Sequence, residues 1–256
     1  LQHCFGTRKT WEVPGMKIRI KFRRFGAVKF LGHLDLMRYF QKAVRRADID
    51  ICYSEGFSPH QIMSFAAPLG VGITSDGEYF DIEVNSTMSS EKAVKALNDT
   101  MVEGFEVTGY VRLPDNAKTA MAIVAAADYR LNFKNGFKSP YNVSEWQSII
   151  KELFDDQPEF TIIKKTKKSE REVDLKPLVY AFEVTEAEDG SPSFFLQVST
   201  GSIDNIKPEL VLASLYEKLG VPFEDRAIQI HRLEVYTRDE NEALVPLLDL
   251  GEKIIE

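Results

Sequence analysis

The stretch MKIRIKFRR, residues 16 to 24, alternates without a break. Met16, Ile18, Ile20 and Phe22 point one way, and Lys17, Arg19, Lys21 and Arg23 point the other. Strict period two specifies a half-buried strand with one apolar and one basic face. A short turn then leads into HLDLMRYFQKAVRRAD, where Phe40, Ala43, Val44 and Ala47 recur at helical spacing with Leu36 or Met37. Arg38, Lys42, Arg45 and Arg46 gather on another face, so this segment reads as an amphipathic helix with a cationic stripe. A sheet strand running straight into a helix that must pack on it points to a layered α+β unit.

The segments that follow extend the pattern. DICYS reads as a short strand and QIMSFAAPLGVG as an extended segment. GEYFDIEV is a strand, SSEKAVKALNDTM a helix with Ser89 or Ser90 as its cap, and EGFEVTGYVRLP a closing strand. The order strand, helix, strand, strand, helix, strand is that of a ferredoxin-like split βαβ unit with an antiparallel sheet, here over residues 16–115. PDNAKTAMAIVAAA is a connector. A second unit of the same kind is expected over 126–238: strand ADYRLNFK, helix VSEWQSIIKELFDD capped by Ser144, three or more strands, helix KPELVLASLYEKLG and strand RAIQIHRLEVYTR. Pro208 suits the first turn of that last helix and Gly220 its end. The fold class expected is α+β, two tandem ferredoxin-like domains with antiparallel sheets. Residues 239–256 form an acidic tail that docks as a short helix or stays free. Residues 1–15 lack the apolar core of a signal peptide and are set aside as a tail, a cloning remnant or an upstream extension.

Composition narrows the function classes. The apolar fraction is 44%, enough for a packed core. The most apolar run, AMAIVAAA, is too short to cross a membrane. Cys4 and Cys52 are the only cysteines, with no CxxC, no zinc spacing and no iron–sulfur spacing, so no metal site and no cofactor of its own are expected. Two cysteines in 256 residues suit a reducing, cytoplasmic setting. Charge is segregated. Between Lys17 and Arg46 stand ten basic residues and one acid, Asp35, a net +9 in a chain of net −7, so the remainder carries −16. Such a concentration favours an anionic partner. The run KKTKKSEREVDLK, 164–176, is a charged hairpin with a weaker net +3, read as a solvated loop.

Three short motifs carry candidate chemistry. His33 and Asp35 open the helix, where a carboxylate meets the positive end of the helix dipole. In SEGFSPHQ, Gly56 permits a positive φ, Pro59 stiffens the loop, and Phe57 and His60 are presented on it. Acid–base catalysis by His33, His60 and Asp35 requires the three to meet in space, which spacing alone does not provide. In SDGEYFD, Glu78 and Asp81 lie three apart, so a strand sends them to opposite faces and they are no matched carboxylate pair.

The segments KFRRFGAVKFLGHLDLMRYFQKAVRRAD, YSEGFSPHQ and SFAAPLGVGITSDGEYFD, in that order, resemble the bacterial radical-SAM-associated protein family, a domain of unknown function. The resemblance is strong over residues 16 to about 115. It implies association with a radical S-adenosylmethionine enzyme, as a separate protein or a fusion, with S-adenosylmethionine and the iron–sulfur cluster held by that enzyme. Relatives encoded near ribosomal-protein or ribonuclease genes imply RNA. The matching positions are His33, Asp35, Arg45, Arg46, Tyr53, Gly56, Phe57, Pro59, His60, Glu78, Tyr79 and Asp81, none with a catalytic role to carry over. Gly32 replaces the usual serine, weakening the helix cap, and Gln61 replaces a common proline.

The expectation is a non-catalytic accessory protein that binds or presents RNA (tRNA or rRNA) to a radical SAM enzyme. Lys17, Arg19, Lys21 and Arg23 of the strand and Arg38, Lys42, Arg45 and Arg46 of the helix would meet phosphates, and Phe57 and His60 a base or the enzyme. Should strand and helix groups lie on opposite faces, one of them serves the protein partner. The alternatives are an RNA-processing or RNA-modifying enzyme using His33 and His60, and a protein–protein adaptor that binds no nucleic acid.

Overall fold

The computed structural model describes residues 15–165, 170–201 and 204–256. The expectations for residues 1–14, Cys4 among them, fall outside the described residues, as does the tip of the 164–176 hairpin. In chain order the first half comprises β1 (Met16–Arg24), α1 (His33–Arg46), β2 (Met63–Phe65), β3 (Thr74–Val84), α2 (Ser90–Asn98) and β4 (Phe105–Arg112). A short α3 (Ala120–Ile123) leads to β5 (Ala126–Phe133), α4 (Val143–Ile150), β6 (Thr161–Lys165), β7 (Glu170–Asp174), β8 (Val179–Glu186), β9 (Pro192–Ser199), α5 (Pro208–Leu219), β10 (Ile228–Arg238) and β11 (Leu244–Pro246). No helix among the described residues is long and apolar enough to cross a membrane.

The fold is mixed α+β with one large, mostly antiparallel sheet. This corrects the expectation of two separate sheets. Nine strands join in the order β4-β1-β3-β10-β5-β9-β8, with β2 added to β3 and β11 to β10. The seam between the halves is the one parallel pairing among the described residues, β3 with β10, through His231 opposite Thr74 and Arg232 opposite Ser75. It needs a very close backbone approach: a Cβ on Gly77 would stand 2.7 Å from the Glu234 Cα and 2.9 Å from the Leu233 carbonyl. β6 and β7 form a separate two-stranded ribbon.

Each half builds its own apolar cluster. Ile18, Ile20 and Phe22 of β1 and Phe80, Ile82 and Val84 of β3 meet Leu36, Phe40 and Val44 of α1 and Ala93 and Leu97 of α2. The period-two and period-3.6 patterns thus face each other. In the second half Leu131, Phe194, Leu196 and Val198 meet Trp146, Ile150, Val211, Leu212 and Leu215. Tyr79, on the other face of β3 from Phe80, joins this second cluster together with Leu247.

Helix ends differ in detail from expectation. Asn142, not Ser144, caps α4 in a full capping box with Glu145: it stands just before the first helical residue and accepts from the Glu145 N–H at 3.0 Å, whereas Ser144 already lies inside the first turn. Ser89 precedes α2 without a side-chain cap, and the Ser90 hydroxyl accepts from the Ile254 N–H instead. The acidic C-terminal segment is therefore docked: β11 pairs with β10, Leu247 is buried, and Glu252 bridges to Arg112. Pro208 opens α5, and Gly220 ends it in the left-handed region at φ 67°.

A candidate nucleic-acid interface and a buried arginine cluster

The basic face of β1 is not a free surface. Arg19 is fully buried; its Nε and Nη2 donate to the two Asp81 carboxylate oxygens at 2.8 and 3.0 Å, and Nη1 donates to the Leu247 carbonyl at 3.1 Å. The Asp81 Oδ2 also accepts from the Ala120 N–H at 2.6 Å. Lys17 Nζ donates to the Ala117 carbonyl at 2.9 Å, and Lys21 pairs with Glu234. Arg23 spans Asp76 and Glu106 at 2.7 and 2.9 Å. Burial works against the Asp76 carboxylate, but hydrogen bonds from Arg23 and His231 outweigh it and hold its pKa below the ordinary value. The expectation that these four residues form a phosphate-binding stripe is corrected. The connector and the C-terminal segment cover much of that face, and carboxylates from distant strands neutralise three of the four cations.

The stripe on α1 is different. Arg38, Lys42, Arg45 and Arg46 are all exposed. Arg38 has only a loose, exposed ion pair with Asp35 at 3.5 Å, and Arg46 donates to the Thr100 carbonyl at 3.3 Å. Lys42 and Arg45 have no hydrogen bond or ion pair among the described residues. At spacings of three and four, the side chains run along one side of the helix.

Beside this helix a hairpin projects. Tyr53 and Gln61 bridge across it, and Ser54 and His60 close it: the Ser54 N–H donates to the His60 carbonyl at 2.8 Å, and the Ser54 hydroxyl lies 2.7 Å from His60 Nδ1. Gly56 at its tip has φ +103°, the left-handed region its sequence position suggested. Phe57 is completely exposed, with relative accessibility 110%, and Tyr53 is half exposed. Gln61 Nε2 donates to the Gln41 carbonyl at 3.2 Å, tying the hairpin base to α1 next to Lys42. Gln61 thus supplies a tether.

The candidate catalytic residues do not assemble. His33 packs edge-on against Phe65, Asp35 pairs with Arg38, and His60 is held by Ser54. Among the described residues no hydrogen bond or ion pair joins any two of the three. Nor is there a group of His, Cys, Asp and Glu side chains among them that could hold a metal.

A second feature escaped the sequence. Glu78 is buried between two buried arginines, 3.7 Å from Arg24 Nη1 and 3.5 Å from Arg232 Nη2. Arg24 donates to the Val28, Lys29 and Leu31 carbonyls, which fixes the turn before α1, and Arg232 Nη1 donates to the Ala67 carbonyl at 2.8 Å. Desolvation raises the Glu78 pKa, against the pull of Arg232 and Arg24. Glu78 Oε1, Arg232 Nε and His33 Nδ1 are buried without a hydrogen-bond partner among the described residues. Arg232 sits inside the strand RAIQIHRLEVYTR, and the signal that could have found it is a charged residue where the strand pattern asks for an apolar one.

Comparison with known proteins places the chain in a family but assigns no activity. A search of the curated proteins finds no match. Among solved structures, a crystal structure of a Cbf5-Nop10-Gar1 complex is similar at 12% sequence identity and TM-score 0.47, with 92% of this chain and 57% of that one covered. The chain therefore spans little more than half of that structure's length. A family profile described as an uncharacterized protein conserved in bacteria, DUF2344, matches residues 17–208, most of the chain and all three motif segments. The chain is a member of this bacterial DUF2344 family.

Proposed function

We propose that this protein is a non-catalytic accessory factor that binds RNA through α1 and the Phe57 hairpin and presents it to a radical SAM enzyme. The observation that carries the RNA reading is the juxtaposition of exposed cations on α1 with a fully exposed aromatic on a hairpin tethered to the same helix. Cations track a phosphate backbone, and an exposed ring gives an unpaired base a stacking platform. The corrected role of β1 sharpens the reading, since the phosphate-facing set shrinks to Arg38, Lys42, Arg45 and Arg46. His60 orders the hairpin that carries Phe57. The enzyme partner rests on the sequence resemblance, which leaves S-adenosylmethionine and the iron–sulfur cluster with that partner; the cytoplasmic setting rests on the low cysteine count. We read the two halves as ferredoxin-like units. Strand orders β4-β1-β3-β2 and β10-β5-β9-β8 support this, with the β6–β7 ribbon as an insertion.

The test is fluorescence anisotropy with a labelled single-stranded RNA 12-mer and with an unmodified tRNA at low salt. Replacing Phe57 by Ser is expected to weaken binding by roughly 1–3 kcal/mol, the usual worth of one base stack. Replacing Lys42 and Arg45 by Gln weakens it further while the melting temperature holds, because both side chains are exposed. Wild-type protein that binds neither RNA at low salt rules the RNA reading out. RNA cleavage by the isolated protein that disappears in His60→Ala would replace it with an enzymatic one.

A further inference from the structure

Arg232 also faces a cavity that the RNA reading does not use. The cavity, of about 310 Å³, lies where both halves meet. Its walls are largely apolar, including Ala67, Leu69, Met121, Tyr129 and Ile206. The SFAAPLG motif of the first half supplies one wall, and the N-terminus of α5 another.

Three residues of the lining each carry one polar atom without a partner among the described residues. Arg232 is 1% exposed and its Nε has no acceptor. Thr200 is 6% exposed and its hydroxyl has neither donor nor acceptor. Glu209 has one carboxylate oxygen, Oε2, buried with no donor, although its other oxygen lies 3.9 Å from Lys207 Nζ. α5 begins without a side-chain cap, and Pro208 and Glu209 of its first turn stand in the lining. Buried polar groups are nearly always satisfied, and here three residues of one lining each carry an atom that is not. The charge balance gives the sign of a fitting ligand. Two buried guanidiniums share the single carboxylate of Glu78, which leaves an excess positive charge behind Arg232. Apolar walls with a few convergent polar groups are the usual form of a small-molecule site.

We propose that this cavity binds a small organic acid: a carboxylate or phosphate recognised by Arg232 and Thr200, a hydroxyl or amine donating to Glu209, and an apolar body against the walls. The proposal is independent of RNA binding, because none of these residues belongs to α1 or the Phe57 hairpin.

Calorimetric titration and thermal melting of the full chain test it with three probes: mandelate (carboxylate and hydroxyl), phenyl phosphate, and the neutral 1-phenyl-1,2-ethanediol. At least one of the two anions is expected to bind and to raise the melting temperature, the stronger response identifying the anion; the diol does neither. Thr200→Val weakens that binding about tenfold, the worth of a hydrogen bond to a charged group. In the free protein it leaves the melting temperature unchanged or higher, since the lost hydroxyl had no partner. Ala67→Leu, which keeps the carbonyl that holds Arg232, blocks binding by filling space. The proposal is overturned if neither anion binds, if the diol binds as well as the anions, or if both variants bind like wild type.

Discussion

Replacing Arg19 by Met removes a cation that sequence alone would place on a nucleic-acid surface and that the structure places inside. Asp81, itself only 8% exposed, loses both charged hydrogen bonds and keeps the single N–H of Ala120. Leaving a buried carboxylate without its partner costs about 3–5 kcal/mol. With an unfolding entropy of about 2.1 cal/mol/K per residue, that lowers the melting temperature by about 6–10 °C if both halves unfold together, as their shared sheet implies. Circular dichroism or differential scanning calorimetry measures it. The double variant Arg19→Met/Asp81→Leu recovers more than half of the loss, since removing both charges removes the desolvation cost with them. RNA affinity at low salt is unchanged in either variant where the fold holds. A single-variant loss below about 1 kcal/mol, or a fall in RNA affinity without a fall in stability, would refute this reasoning.

Other perturbations follow from the same contacts. Gly77→Ala forces a Cβ against the backbone of β10, so it is expected to cost at least about 1–3 kcal/mol and to speed amide exchange along the β3–β10 seam. Asp76 has a folded-state pKa below its ordinary value, so its ionised form contributes stability above the unfolded carboxylate pKa and loses it as pH falls through the folded value. Asp76→Asn is therefore less stable than wild type near pH 7, and the two melting curves converge in acid. Asn142→Ala removes the capping box of α4 and lowers stability by about 1 kcal/mol in a denaturant titration.

Local periodicity made most elements legible. MKIRIKFRR announces β1, the apolar positions of α1 face the core as their spacing requires, and Pro208 and Gly220 bracket α5. What stayed hidden depends on partners far along the chain. Period two shows that Arg19 and Ile18 face opposite ways, but not that Asp81 and Leu247, at separations of 62 and 228, close over the basic side. Exposure of the opposite face was an inference from charge, and buried ion pairs defeat it. The seam was illegible for a related reason: it rests on two residue pairs and a close approach at Gly77, neither of which has a local pattern. The cations of α1 stay exposed because nothing later among the described residues comes to cover them. The cavity was illegible too, since Thr200, Glu209 and Arg232 converge only after the halves have joined.

The most direct test of RNA binding through α1 is the salt dependence of affinity for a single-stranded RNA. Each phosphate neutralised contributes about −0.7 to the slope of log K against log salt, so up to four contacts give a slope of roughly −2 to −3. Replacing Arg38, Lys42, Arg45 and Arg46 together by Gln is predicted to bring that slope close to zero without lowering the melting temperature. A wild-type slope near zero, or a steep slope that survives the four replacements, would contradict it.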